Sequence, residues 1–501
     1  MVGQQTKLME SIDSQRIKVG DRVFRPRRIQ RHRLRRVLGV PALFSAGYGN
    51  VGSSIYYALG IVALIALGAT PIVLAIAGIL YIFNALTYAE GTAMLPEAGG
   101  SASFARHGFN GTTGFIAGWA LMLSYIVTMA ISAYTIPPYL GYFWPVLRGP
   151  VVGTAVSIGI ILFLMVINIF GIRESSRINI YFIVVDIATQ LTLVVLGVLL
   201  ILLVDPSVLL QNMFGEGNWP SAQNLIFGIA IAALCFTGVE TVSQLAEETR
   251  QPTRRIPQTY ILMIVVVLVL FAGISIVALS AMTPQVLGDP VNGWARDPVA
   301  GIAANLPSAT LQSIFAPLVA VLAASILLTA TNAGLMGISR LAFSMSSHRQ
   351  LPVTLSRIHH RFRTPYIAII LFCLVAFLLL IPGFFTAGFF ADLGALYVFG
   401  SLLTFALANA ALLALRVKKP DLPRPFKLGW NIKVKGRELP LTTILGLIST
   451  AAVWLVVVIS QPYSRWVGII WMVVGLIIYY LYQRKQRVSL TQQENKPAKP
   501  G

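Results

Sequence analysis

Apolar runs of about twenty residues, separated by short polar stretches, recur along almost the whole chain. They fall near residues 38–61, 71–94, 112–140, 152–171, 180–204, 222–246, 258–282, 312–340, 366–382, 392–416, 441–460 and 465–483. A helix needs roughly 20 predominantly apolar residues to cross the hydrocarbon of a bilayer, so each run predicts one membrane-spanning helix. The pattern predicts an all-α integral membrane protein with about twelve transmembrane helices. Residues 1–37 read as a basic, polar arm, residues 38–483 as one membrane domain, and residues 484–501, rich in Gln, Lys and Pro, as a disordered tail. No separate soluble domain is expected. A small hairpin is conceivable over Gly429–Glu438.

Two of the runs are interrupted. In the first, Ser45-Ala46-Gly47-Tyr48-Gly49-Asn50-Val51-Gly52-Ser53-Ser54 places three glycines and several polar side chains at mid-membrane. In the sixth, Cys235-Phe236-Thr237-Gly238-Val239-Glu240-Thr241 does the same on a smaller scale. Backbone at membrane depth leaves the helix only where it is buried in protein or lines a wet cavity. The two interruptions are five spans apart, an odd offset, so their helices cross in opposite directions. Paired broken helices in inverted halves are the best sequence pointer to a transporter binding site. Glycine also permits close helix packing, and Gly60, Gly68, Gly78 and Gly197 are read that way.

Composition agrees with a lipid solvent. Of 501 residues 56% are hydrophobic and 11% charged, against about a quarter charged in soluble domains. The net charge of +20 raises the question of nucleic acid. Its distribution answers otherwise. With a cytoplasmic N-terminus, only Arg148, Arg296 and Arg465 of the 38 Lys and Arg lie outside. That is the positive-inside pattern, which predicts both termini in the cytoplasm of a multi-pass cell-membrane protein. The run from Arg25 to Arg36 is suited to anionic lipid headgroups, and no nucleic-acid partner is expected. Nothing at the N-terminus resembles a cleavable signal, since that region is basic and lacks an apolar core. Cys235 and Cys373 offer no disulfide framework. The five histidines sit in basic connecting segments, so neither a metal site nor a cofactor is expected.

If the first interruption ends one half-helix near Gly49 and starts another near Ser53, the freed N–H groups would suit a carboxylate. Carbonyl groups around Leu234–Thr237 would suit an ammonium. An amino acid zwitterion fits between two such ends, and other small solutes also remain compatible. Three carboxylates lie within spans, Glu90, Asp186 and Glu240, each costing several kcal/mol unless paired, hydrated or protonated. Asp186 is expected to carry a proton or bind a cation, with a hydrogen bond to a neighbouring helix as the plain alternative. Glu240 follows the second interruption and braces it or takes part in coupling. Glu90 lies at the inner end of its span, where gating or snorkelling accounts for it. In the eighth span Ser325, Thr329, Thr331 and Asn332 are candidate oxygen ligands, although such hydroxyls usually bond their own backbone. No nucleophile, metal or phosphate constellation appears, so enzyme activity is not expected.

These stretches resemble the amino acid–polyamine–organocation (APC) transporters, bacterial amino acid permeases among them. Gly49-Asn50-Val51-Gly52-Ser53-Ser54-Ile55 is similar to that family's first-helix break, and Tyr88-Ala89-Glu90 with Pro96-Glu97-Ala98-Gly99-Gly100-Ser101 to its second-helix exit. Phe236-Thr237-Gly238-Val239-Glu240, Ala246-Glu247-Glu248-Thr249, Pro252-Thr253-Arg254-Arg255-Ile256-Pro257 and Leu422-Pro423-Arg424-Pro425-Phe426 extend the likeness. The resemblance implies a LeuT-like fold of two inverted five-helix repeats, with helices 1 and 6 broken, plus two extra helices. It implies alternating access by a secondary transporter of amino acids or related solutes, driven by protons or by exchange. It also implies that the backbone of Gly52, Ser53, Ser54 and Ile55 meets the substrate carboxylate, with Gly49 and Asn50 as further substrate-binding candidates. Leu234, Phe236, Thr237 and Gly238 would meet its amino group. Asp186, Glu240, Thr329 and Thr331 are the candidates for ion coupling on their own chemistry, not through the resemblance. A polyamine or K⁺ transporter of the same fold is the alternative, as is an exchanger without ion coupling. This chain departs from the family in three places. Its first break reads Gly52-Ser53-Ser54 rather than Gly-small-Gly, and residue 234, often aromatic, is Leu. Residue 186, Lys in several proton-linked members, is Asp.

Overall fold

The computed structural model describes residues 36–171, 176–203, 206–362, 364–386, 388–434 and 436–494, and separately a short strand pair, Lys18–Val19 with Arg22–Val23. Most of the expected N-terminal arm lies outside the described residues. Among the described residues, eleven helical stretches are long and apolar enough to cross a membrane. The first, Val40–Met94, is 55 residues long. It turns back at Leu67, whose φ is 47°, where Gly68 sits against the backbone carbonyl of Met213. It therefore contains two spans, and the total is the twelve expected from hydropathy.

Span 1 comprises Val40–Val51, a 3₁₀ turn Gly52–Ser54 and Ile55–Ala66; span 2 is Thr70–Met94, span 3 Gly111–Leu140, span 4 Pro150–Phe170 and span 5 Ser176–Leu203. Span 6 comprises Ala222–Ala232, the 3₁₀ turn Ala233–Phe236 and the short helix Thr241–Gln244. Spans 7 to 12 are Pro252–Ala281, Ala309–Ser347, Tyr366–Leu380, Phe389–Lys418, Leu441–Ser460 and Pro462–Glu494. The last helix corrects the expected tail, which is helical from residue 484 to Glu494.

Local chemistry sets the ends of these helices. The Asn110 side chain accepts from the Thr113 amide at 2.9 Å and caps span 3. Gly171, at φ 72°, closes span 4 in the left-handed conformation that glycine adopts without strain. In the 417–440 connection Asn431–Val434 pairs antiparallel with Arg437–Pro440.

Burial separates centre from rim. In span 3 the most apolar window is 94% buried, whereas in span 12 it is 11%. Span 3 is therefore the axle of the bundle and span 12 faces lipid. Span 1 packs on span 6, span 2 on span 7, span 3 on span 8 and span 4 on span 9. Spans 11 and 12 lie against span 10.

Candidate functional site

The first interruption is milder than the sequence suggests. Val51, Gly52 and Ser54 all keep right-handed helical dihedrals, and the helix merely tightens for one turn. The Gly52 amide bonds the Tyr48 carbonyl, and the Ile55 amide bonds the carbonyls of Gly52 and Ser53. The expectation that the chain unwinds between Gly49 and Ser53 is corrected. Two contacts account for this. The Ser53 hydroxyl donates to the Asn50 carbonyl at 2.8 Å, satisfying an acceptor that the tightening would otherwise free. The Tyr48 ring covers Gly52 so closely that a β-carbon there would lie 2.6 Å from it. Gly47 is likewise packed, against Met263 and Val242. These glycines serve close approach rather than unusual dihedrals. Ser54 and Tyr57 share a hydroxyl–hydroxyl bond of 3.0 Å.

The second interruption is a true break. Thr237 is extended (φ −80°, ψ 158°), and Gly238 has φ 99°, where a side chain is strained. Its Cα faces Asn50, whose amide group would be 2.7 Å from an added β-carbon. The same amide donates to Thr241 Oγ1 at 2.7 Å, so Asn50 ties the first interruption to the second. The Leu234 carbonyl, expected to be free, accepts from Thr237 Oγ1 at 2.8 Å. The Phe236 ring turns toward spans 2 and 7, with Tyr81 and Phe271 at 5.3 and 5.4 Å between centroids.

Asp186 is 1% exposed and sits beside span 1. Tyr48 donates to its Oδ2 at 3.2 Å, Gln190 to the same oxygen at 2.8 Å, and Tyr56 to Oδ1. Tyr48 and Tyr56 lie on opposite sides of the Gly52–Ser54 turn, so one carboxyl group grips both halves of span 1. Tyr139 adds a layer by donating to the Tyr56 carbonyl at 2.7 Å. Sequence reasoning singled out Asp186 but missed Tyr48, Tyr56 and Gln190. The one available signal was Gln190 at i+4, on the same helix face.

Glu240 is fully buried, and among the described residues its carboxyl oxygens meet no side-chain donor. The hydroxyls of Tyr57, Tyr88, Tyr125, Tyr260 and Tyr397 are its electrostatic neighbours. Thr329 and Thr331 donate to the carbonyls of Ser325 and Leu327, at 3.1 and 2.8 Å, as membrane-helix hydroxyls commonly do. Thr329 still borders the site, its methyl 3.5 Å from where a β-carbon on Gly49 would be. Glu90 does not snorkel. It is held in a buried fork by Arg416, at 2.7 and 2.6 Å.

Contacts tie the elements together at both ends of the bundle. At the arginine-poor end Gly60 lets the Ala295 backbone lie directly on span 1, and Arg148 pairs with Asp297 at 2.9 Å. Burial raises the Asp297 carboxyl to about 6 despite Arg148 and Arg296. At the other end the amides of Val37 and Leu38 bond the Glu248 carbonyl, at 2.8 and 3.0 Å. There Glu97 accepts from Ser103, Arg106 and His107.

Packed, interrupted helices around a buried polar centre define a multi-pass membrane transporter. Residues 38–481 match the family model described as Amino acid permease, and the chain belongs to that family. It is similar to "Branched-chain amino acid permease BcaP" of Bacillus subtilis, 29% identical over 479 residues that cover 90% of this chain and 94% of the relative. It is also similar to the "Methylthioribose transporter" of the same organism, 27% identical with the same coverage. "Large neutral amino acids transporter small subunit 2" of Mus musculus is 26% identical, across 83% of this chain and 74% of the relative. The family and these relatives are transporters, not enzymes.

Proposed function

We propose that the protein is a proton-coupled secondary transporter of a neutral amino acid, working by alternating access in the cell membrane with both termini cytoplasmic. Packing of span n on span n+5, for the first four spans, supports two inverted five-helix repeats. The observation that carries the coupling is the grip of Asp186 on Tyr48 and Tyr56, across the turn of span 1. When the two halves of span 1 tilt relative to each other, those hydroxyls move and the hydration of the carboxyl changes. A group whose proton affinity differs between two conformations couples protons to their equilibrium. Tyr48, Tyr56 and Gln190 donate to Asp186 and favour its carboxylate form in this conformation, so their displacement as span 1 tilts is what changes its hold on a proton.

The substrate is placed where span 1 crosses span 6, between Gly49–Ile55 and Leu234–Gly238. Asn50 bridges the two, and its Oδ1 has no partner among the described residues, leaving an acceptor for an ammonium group. The names of two relatives, one branched-chain and one large neutral, support a neutral side chain. The test is uptake into proteoliposomes, surveyed across labelled amino acids, polyamines and K⁺ with and without a pH gradient. Uptake of leucine-like amino acids driven by protons is expected. Uptake confined to polyamines or K⁺ overturns the proposal.

A further inference from the structure

Two grooves of about 360 Å³ each lie side by side at the arginine-rich end, away from the span 1–span 6 crossing. They share Arg254 and Gln258, which stand one turn apart on the first part of span 7. The walls of the two grooves differ in chemistry. One is polar and cationic, formed by Gln251 and Arg255 against the start of span 1 at Gly39–Pro41. The other continues along the same helix as an apolar channel, with Pro257 and Ile261 facing Pro425 and Phe426. Gly39 allows the Arg255 guanidinium in, with Nη1 3.0 Å from where a β-carbon would sit.

The charge here is uncompensated. Among the described residues neither Arg254 nor Arg255 meets an acidic side chain. The nearby acids are otherwise engaged, Glu248 with Arg340 at 3.1 Å and Glu247 with the Ala98 amide at 3.0 Å. Ile261 is 47% exposed, on a membrane-spanning helix. A cationic slot opening directly onto an apolar channel, at the end of a membrane helix, matches one amphiphile. It offers donors for a phosphodiester and a wall for the first carbons of an acyl chain.

We infer that these grooves form a binding site for an anionic phospholipid, with Arg254 and Arg255 on the phosphate and Ile261 with Phe426 along the chain. The inference does not depend on what the protein carries, so it is tested without transport.

The experiment is native mass spectrometry of the purified, detergent-solubilised protein, titrated with phosphatidylglycerol or phosphatidylcholine. The parent is expected to retain phosphatidylglycerol preferentially. The Arg254→Gln/Arg255→Gln variant is expected to bind it more weakly by roughly 25-fold, about fivefold per arginine. Arg254→Lys/Arg255→Lys, which keeps the charge, should hold most of the preference. Should the glutamine variant fail to fold, Gln258→Glu adds an anion on the same exposed face and is expected to weaken retention too. Equal retention by the parent and the glutamine variant overturns the site, as does equal retention of the two lipids. Displacement of the lipid by excess inorganic phosphate would also overturn it, by making the groove a free-anion site.

Discussion

Removing one partner of the Glu90–Arg416 pair should cost more than removing both. The Glu90 side chain has no exposure and that of Arg416 only 3%. After Arg416→Met, the Glu90 carboxylate would keep the Leu428 amide at 2.8 Å and the Arg424 guanidinium at 3.9 Å. Breaking a buried pair costs about 3–5 kcal/mol, because an uncompensated charge stays behind. The two surviving contacts place this variant near the low end, about 3 kcal/mol. In Glu90→Leu/Arg416→Met both charges are gone and the desolvation penalty goes with them. What remains is an unpaired Leu428 amide and a less restrained Arg424, worth roughly 1 kcal/mol. The double variant should therefore be more stable than the arginine variant by about 2 kcal/mol. Unfolding of the four proteins in mixed micelles with increasing dodecyl sulfate measures this as a double-mutant cycle. If the two losses simply add, the pair is solvated and the reasoning fails.

Three further outcomes follow from other parts of the molecule. Gly52→Val should insert normally yet lose substrate binding, because its side chain displaces the Tyr48 ring, and with it a hydrogen bond to Asp186; scintillation proximity binding to the purified variant checks this. Burial pushes Glu97 up, but the His107 and Ser103 hydrogen bonds and the Arg106 charge outweigh it and lower the carboxyl from 4.5 to about 2. Its stabilising contribution is thus complete above the ordinary value and lost as pH falls through the lowered one, so Glu97→Gln should flatten the fall in melting temperature between pH 4.5 and 2. Single cysteines at Ser11 and Gln492, in a version lacking Cys235 and Cys373, should resist impermeant thiol reagents applied to intact cells.

The twelve spans were legible because lipid demands long apolar runs and each was long enough to register. Asp186 was legible for the same reason, as a carboxylate among Val185 and Ile187 that stands out against hydrocarbon. Its partners were not. Tyr48 and Tyr56 are 138 and 130 residues away, and tyrosine in an apolar run carries no sign of what its hydroxyl meets. The Glu90–Arg416 fork, 326 residues apart in sequence, was hidden for the same reason. The glycines at 47–52 were misread because one residue type answers two needs. Glycine permits both odd dihedrals and close approach, and of the glycines at the two interruptions Gly238 uses the first while Gly47 and Gly52 use the second. Thr329 and Thr331 took the commoner course of bonding their own helix.

The central claim is that Asp186 carries the coupling proton, and the direct measurement is concentrative uptake by Asp186→Asn beside the parent in proteoliposomes. A gradient of one pH unit at one proton per substrate drives at most about tenfold accumulation. The parent is expected to approach that limit with a neutral amino acid. Asp186→Asn is expected to exchange labelled for unlabelled substrate at equal concentrations while accumulating none. Accumulation by the asparagine variant close to that of the parent would contradict the account, and so would a parent whose uptake ignores the gradient.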